Sequence, residues 1–181
     1  MIRKLTRFFM KKKIKVVTVV GTRPELIRLS RTIKVLDENT NHVLIHTGQN
    51  YDKELSSIFF SDLKISEPSY QLNIDNHNPT EAISEILKKV DKILREEKPD
   101  AFIILGDTNS CLSAYSAKRL KIPIFHIEAG NRCYDQRVPE EINRKIIDHI
   151  SDINITYSEI AKHNLIRENI SPDKIFKVGS P

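Results

Sequence analysis

Short apolar runs rich in β-branched residues alternate along this chain with amphipathic helical patterns, and that alternation is what most constrains its fold. The runs Ile14 to Val20 (IKVVTVV), His42 to Thr47 (HVLIHT), Ala101 to Leu105 (AFIIL), Pro123 to Ile127 (PIFHI), Ile153 to Tyr157 (INITY) and Ile175 to Val178 (IFKV) have the length and composition of strands buried on both faces. Helical patterns lie between them. From Pro79 to Glu97, residues Ala82, Ile83, Ile86, Leu87, Val90, Ile93 and Leu94 recur at helical spacing against a face of Glu, Lys and Asp. Thr80, Glu81 and Glu85 near its start suit the helix dipole, and Pro99 ends it. Strand and helix in alternation predict an α/β fold, a doubly wound parallel sheet with helices on both faces.

The 181 residues suffice for one good-sized domain with a real core, and a content of 39% hydrophobic and 29% charged residues excludes a disordered or fibrous class. The net charge of +5 is concentrated at one end. Arg3, Lys4, Arg7, Lys11, Lys12 and Lys13 account for six of the 29 basic residues, which leaves 23 against 24 acidic ones in the remainder. Residues 1–13 therefore read as a basic, disordered extension and 14–181 as a nearly neutral body, so no nucleic-acid partner is expected. No apolar run approaches the roughly 20 residues that span a bilayer, and none of secretory length follows the basic start. The expectation is a cytoplasmic protein without a membrane partner. Cys111 and Cys133 fit neither a redox pair nor a zinc pattern and read as free thiols.

All five glycines, Gly21, Gly48, Gly106, Gly130 and Gly179, fall at or near the C-terminal end of a predicted strand. Ligands of open α/β sheets bind outside those ends, so VVGTRPE, HTGQNYD, ILGDTNS, IEAGNRC and VGSP should share one rim. In GTRPE the helix is expected to begin at Pro24, with Arg23 beside a helix N-terminus that favours an anion; a plain surface arginine is the alternative. No GxGxxG or GxxxxGK[ST] occurs, which speaks against a dinucleotide or ATP site. Asp107 in GDTNS is either the N-cap of the next helix or a functional acid on the rim. Glu128 stands where a buried strand pattern should continue, and an acid there needs a partner or a purpose. Glu140 and Arg144 in PEEINR are one helical turn apart and could form an exposed ion pair. His126 is either satisfied in the core or catalytic.

In this order and at these spacings, GTRPE, TGQ, GDT, H-x-EAG-x-R and PEE-x-NR resemble the non-hydrolysing UDP-N-acetylglucosamine 2-epimerase family from about Ile14 to Pro181. The resemblance implies the Rossmann-like N-terminal half of a glycosyltransferase-B type fold, with the active site between two halves. The implied reaction eliminates UDP across C1 and C2 to a glycal, then adds it back with C2 inverted, and uses no metal and no cofactor. By motif, Asp107, Glu128 and Glu140 would be the catalytic carboxylates. Arg23 and Gly21 would lie at the diphosphate, and Arg28 and Arg144 would contact the UDP-sugar. Arg28 stands where the family commonly has lysine, and GDTNS and EAGNR replace the frequent GDTTT and EAGLR. HTGQNYD, GDTNSCLS and RPELIRLSR are more like the branch that forms UDP-N-acetyl-L-fucosamine from UDP-2-acetamido-2,6-dideoxy-L-talose. The family's C-terminal half, with most uridine contacts and a catalytic histidine, has no counterpart here. That implies a separately supplied half, or else a non-catalytic sugar-nucleotide-binding remnant. A glycosyltransferase of the same architecture is a more remote reading. Full-length members are usually homodimers.

Overall fold

Residues 13–48, 60–75 and 77–181 are described in the computed structural model; residues 1–12 of the basic extension and Gln49 to Asp52 of HTGQNYD lie outside them. The β-branched runs form the expected strands, with ends shifted by at most about one residue. They are β1 (Lys15–Val20), β2 (Asn41–His46), β4 (Ala101–Leu105), β5 (Ile124–Ile127), β6 (Ile153–Thr156) and β7 (Ile175–Lys177). A two-residue strand, β3 (Tyr70–Gln71), was not expected, because it is too short to carry a periodic signal and takes its pairing from Ile45 and His46. Among the described residues the sheet has the order β3-β2-β1-β4-β5-β6-β7, and every pairing is parallel.

Helices among the described residues include α1 (Arg23–Asn39), α2 (Pro79–Glu97), α3 (Ala114–Arg119), α4 (Pro139–Ile150) and α5 (Glu159–Arg167). α1 begins at Arg23 rather than Pro24, because Thr22 is its N-cap and Glu25, in the third helical position, accepts the Thr22 N–H. α2 starts at Pro79 under the Asn78 side chain, which accepts from the N–H groups of Thr80 and Glu81, and it stops at a left-handed Lys98.

Because strand residues alternate between faces, the sheet packs two separate apolar layers. On one face Val20, Leu44 and Leu105 meet Leu26, Leu29 and Ile33 of α1. On the other, Val17, Val19, Phe102, Ile104 and Ile124 meet Ile86, Val90 and Leu94 of α2, the alanines of α3 and Ile147 of α4. Helices thus flank both faces, as the alternation predicts. Ile127 of β5 still packs against the α1 layer, but cover on that side thins towards β6 and β7 among the described residues. Ile127 and Ile155 are cross-strand neighbours there and only partly buried, and Phe176, the neighbour of Ile155 on β7, and Val178 are 51% and 66% exposed.

This asymmetry predicts unequal costs of truncation. Ile104→Ala in the covered layer should destabilise by about 2–5 kcal/mol in urea unfolding, and Val178→Ala on the uncovered strip by roughly 0.5 kcal/mol or less. The pH dependence should also carry a mark of His46, whose pKa burial lowers from 6.5 to about 4. The unfolded chain binds a proton that the folded chain refuses, so stability is full above pH 6.5 and falls as pH drops towards 4. The slope should be at most about 1.4 kcal/mol per pH unit and should flatten in His46→Gln.

Candidate active site

The three loops that leave the C-terminal ends of β1, β4 and β5 converge on one rim with the starts of α1 and α4, and buried carboxylates fasten them to each other. Glu25 in α1 is almost fully buried. Its Oε2 accepts the N–H groups of Gly21 and Thr22 at 2.8 and 2.7 Å and the Thr22 hydroxyl at 2.8 Å, and its Oε1 accepts the Thr108 hydroxyl at 3.0 Å. Burial raises the pKa of this carboxyl, and those same hydrogen bonds oppose the rise. The GTRPE loop is in this way tied to GDTNS. Gly21 is required by close approach, since a Cβ there would stand 2.0 Å from Ser110 Oγ and 2.8 Å from Thr47 Oγ1. Arg23 is exposed in the first turn of α1.

Asp107 does not cap the following helix. Thr108 holds the N-cap position of a short 3-10 turn (Asn109–Ser113) without a side-chain cap bond, and the Asp107 carboxylate turns to Arg144 instead. Arg144 Nε and Nη2 donate to Asp107 Oδ2 at 2.9 and 2.5 Å, while Nη1 donates to Glu141 Oε2 at 3.0 Å. Arg144 is thus paired with Asp107 and Glu141 and not with Glu140, which is exposed and has no ion pair or hydrogen bond among the described residues. Glu141 is buried and also accepts the N–H groups of Cys133 and Tyr134 at 3.1 and 3.2 Å. Burial works to raise its pKa, but these bonds and the Arg144 charge prevail and hold it below the usual range. Asn143 completes the link, donating to the Asp107 carbonyl at 2.9 Å and to Asn109 Oδ1 at 3.2 Å.

Glu128, one residue past β5, has φ of 70°, a left-handed conformation that costs a residue with a Cβ about 1–3 kcal/mol. Its carboxylate pairs with Arg28 across the rim and accepts Asn131 Nδ2 at 3.2 Å. Behind the pair, burial and then the Glu128 charge push the Tyr157 phenol up to about 12. The neighbouring cavity, about 330 Å³, is lined by Arg28, Leu29, Ile127, Ile155, Tyr157 and Pro181 among others. A second cavity of about 380 Å³, with Asp37, His42 and Glu67 in its wall, lies by the start of β2, away from the rim.

His126 is fully buried and belongs to the core. Its Nε2 is 2.7 Å from the Gly106 carbonyl oxygen and its Nδ1 2.8 Å from Asp148 Oδ1, the latter off the line of a good hydrogen bond. The sequence reading passed over Glu25, Arg132, Glu141, Asn143 and Asp148. One signal was available in α4, where Glu141, Arg144 and Asp148 recur at i, i+3 and i+7 beside Ile147 and so share its buried side. Among the described residues no cluster of three or more His, Cys, Asp or Glu could hold a metal, and no helix is long and apolar enough to cross a membrane.

A family model described as UDP-N-acetylglucosamine 2-epimerase matches residues 34–181. The chain belongs to this family. It is 44% identical over 169 residues to the UDP-N-acetylglucosamine 2-epimerase of Methanocaldococcus jannaschii, covering 92% of this chain and 46% of that one. The structure of that archaeal epimerase in complex with UDP-GlcNAc and UDP superposes with a TM-score of 0.88 at 43% identity, over 92% of this chain and 47% of the other. The epimerase structure from Rickettsia bellii gives 0.88 at 58% identity, over 93% and 45%. A relative with another sugar in its name, the UDP-2,3-diacetamido-2,3-dideoxy-D-glucuronate 2-epimerase of Pseudomonas aeruginosa, is 38% identical over 92% of this chain and 48% of its own. The chain therefore spans about half the length of the epimerases it matches.

The close approach at Gly21 gives a direct test of the rim. Gly21→Ala should destabilise by about 1–3 kcal/mol in thermal or urea unfolding, as overpacking does, and should cost less in a Ser110→Ala background where the clashing hydroxyl is gone. An equal cost in both backgrounds would place the strain elsewhere.

Proposed function

We propose that this chain supplies the N-terminal half of an active site that inverts C2 of a UDP-2-acetamido sugar, with residues 14–181 as the Rossmann-like unit and residues 1–13 as a basic extension. The observation that carries the reading is Glu128, an acid held in a left-handed turn at the end of β5 with a guanidinium, Arg28, as its partner on the rim.

The reaction has two halves. A carboxylate removes the proton from C2, C1=C2 forms, and the C1–O bond breaks with its electron pair leaving on the β-phosphate of UDP. Addition then runs in reverse, with the phosphate oxygen attacking C1 and a carboxylic acid delivering a proton to the opposite face of C2. Such chemistry needs carboxyl groups in unlike surroundings. The rim offers Glu128 beside Arg28, Asp107 locked by Arg144, and an exposed Glu140. Arg23, exposed at the N-terminus of α1 where a helix favours anions, is assigned to the diphosphate, with Arg28 and Arg144 adding positive charge as C1–O breaks.

The second half of the site comes from polypeptide equivalent to the rest of the relatives' length, and a second copy completes the assembly. The uncovered strip on β5, β6 and β7 supports an additional packing partner. UDP-N-acetylglucosamine, the sugar in the names of the M. jannaschii and R. bellii relatives, is the first substrate to try. The motif likeness to the L-fucosamine branch makes UDP-N-acetyl-L-fucosamine the second sugar to try.

Solvent deuterium incorporation at C2 tests the proposal. Both sugars would be incubated in D2O with the chain alone and with the C-terminal half of the M. jannaschii relative, and read by proton NMR and mass spectrometry. Label is expected with both halves present and should fall by two orders of magnitude or more in Glu128→Gln with little change in UDP affinity. A folded mixture that binds the UDP-sugar without exchanging its C2 proton would mark the chain as a binding module.

A further inference from the structure

Asp148 has no role in the reaction described above, yet it touches the backbone or the supporting side chains of both loops that carry candidate acids. It sits in the third turn of α4 and is 1% exposed. Its two oxygens face the Gly130 N–H at 3.3 and 3.2 Å, and Oδ2 lies 2.7 Å from Nη1 of Arg132, whose side chain is fully buried. Arg132 is held from its other side by Glu168, with Nε to Oε1 at 2.8 Å and Nη2 to Oε2 at 2.5 Å. The remaining neighbour is His126, whose Nδ1 lies 2.8 Å from Asp148 Oδ1, packed against it off the line of a good hydrogen bond, and whose Nε2 meets the carbonyl of Gly106, next to Asp107.

Gly130 is clamped from every side. Its N–H goes to Asp148, its carbonyl accepts Asn164 Nδ2 at 3.0 Å, its φ is 82°, and a Cβ there would stand 2.3 Å from the Ala161 carbonyl oxygen. Two residues earlier stands Glu128 in its own left-handed conformation, which persists only if the surroundings over-determine it. A buried ion pair is a weak device for stability, because desolvation consumes much of the Coulomb gain, but it fixes the geometry of whatever hangs from it.

We propose that Asp148 is a positioning residue for the epimerase reaction, one carboxylate that holds the Glu128–Gly130 turn and, through His126, the Gly106–Asp107 turn at a fixed mutual placement. The inference rests on the functional reading given above. Asp148 touches no substrate in this scheme. It acts by keeping Glu128 aimed across the rim and by setting its distance from Asp107.

The test uses Asp148→Asn, which keeps an oxygen for the Gly130 N–H and removes the charge, beside Val90→Ala, a core truncation remote from the rim, as a control for lost stability. With glutamate carboxyls labelled with carbon-13 and Glu128 assigned by Glu128→Gln, the Glu128 carboxyl resonance and its line width are followed by NMR at one fixed pH in the 181-residue chain. Asp148→Asn should displace and broaden that resonance, as loss of a fixed side-chain placement does, and Val90→Ala should not. In the enzyme reconstituted from two halves, Asp148→Asn should lower kcat for C2 exchange on the order of 10²-fold with KM nearly unchanged, as misplacement of a reacting group does. If Asp148→Asn does not fold, Asn164→Ala, which frees the carbonyl side of the same turn, should shift Glu128 in its place. A lowered melting temperature with the Glu128 carboxyl resonance and kcat both no different from the control would overturn the proposal. Absence of exchange in the wild-type mixture would remove the epimerase reading, while the Glu128 resonance would still decide whether Asp148 sets Glu128.

Discussion

A charge taken out of water must be paired, and the rim of this sheet is organised by how its buried charges meet that condition. Asp148 and Arg132 have no exposed side-chain surface and pair with each other, with Glu168 as the second partner of Arg132 and the Gly130 N–H as that of Asp148. Their pairing requires α4 to approach the end of β5 closely enough for the Gly130 N–H to reach the same carboxylate. Once α4 is there, Glu141, Asn143 and Arg144 on its inward side can reach the loops after β4 and β5. Glu25 does the corresponding work between the loops after β1 and β4. The apolar layers make the sheet, and these buried acids decide where its loops stand.

This arrangement inverts the usual amphipathic logic in α4. Glu141, Asn143 and Asp148 are buried beside Ile147, while Ile142 and Ile146 are 48% and 43% exposed. A helix that turns carboxylates inward gives up hydrophobic burial worth roughly 1.5–3 kcal/mol per large side chain, so the inward polar groups must be compensated contact by contact. Each inward acid of α4 has at least two partners, among them backbone N–H groups. Glu140, facing outward at the same helix start, has none among the described residues, and it is the candidate carboxylate with the greatest freedom to meet a ligand.

Much of the fold was legible because it follows from local patterns. β-branched runs between amphipathic helices specify parallel strands with both faces covered, and α2 lies at Pro79–Glu97 as its apolar spacing requires. β3 was not legible, since two residues have no period, and the start of α1 moved by one residue because a Thr22–Glu25 contact outweighed the preference of proline for the first position. In the site, the rim itself could be read from glycines that follow strands. The pairing within it could not. Arg144 was legible as a neighbour of Glu140 by helical spacing, but its guanidinium goes to Asp107, 37 residues away, and to Glu141.

The sequence by itself determined the α/β class, the parallel topology, the rim on which GTRPE, GDTNS, EAGNR and PEEINR gather, and a family resemblance carried by those motifs, because each depends on residue type at short separation. Only the tertiary structure decided which acids are buried and paired, which one is free, that Glu128 sits in a left-handed turn, and that His126 is a core residue joined to Asp148. Those outcomes depend on contacts between residues about 20 to 100 positions apart, such as His126 with Asp148 and Arg28 with Glu128. Desolvation and charge pairing act through space, and no period along the chain records them.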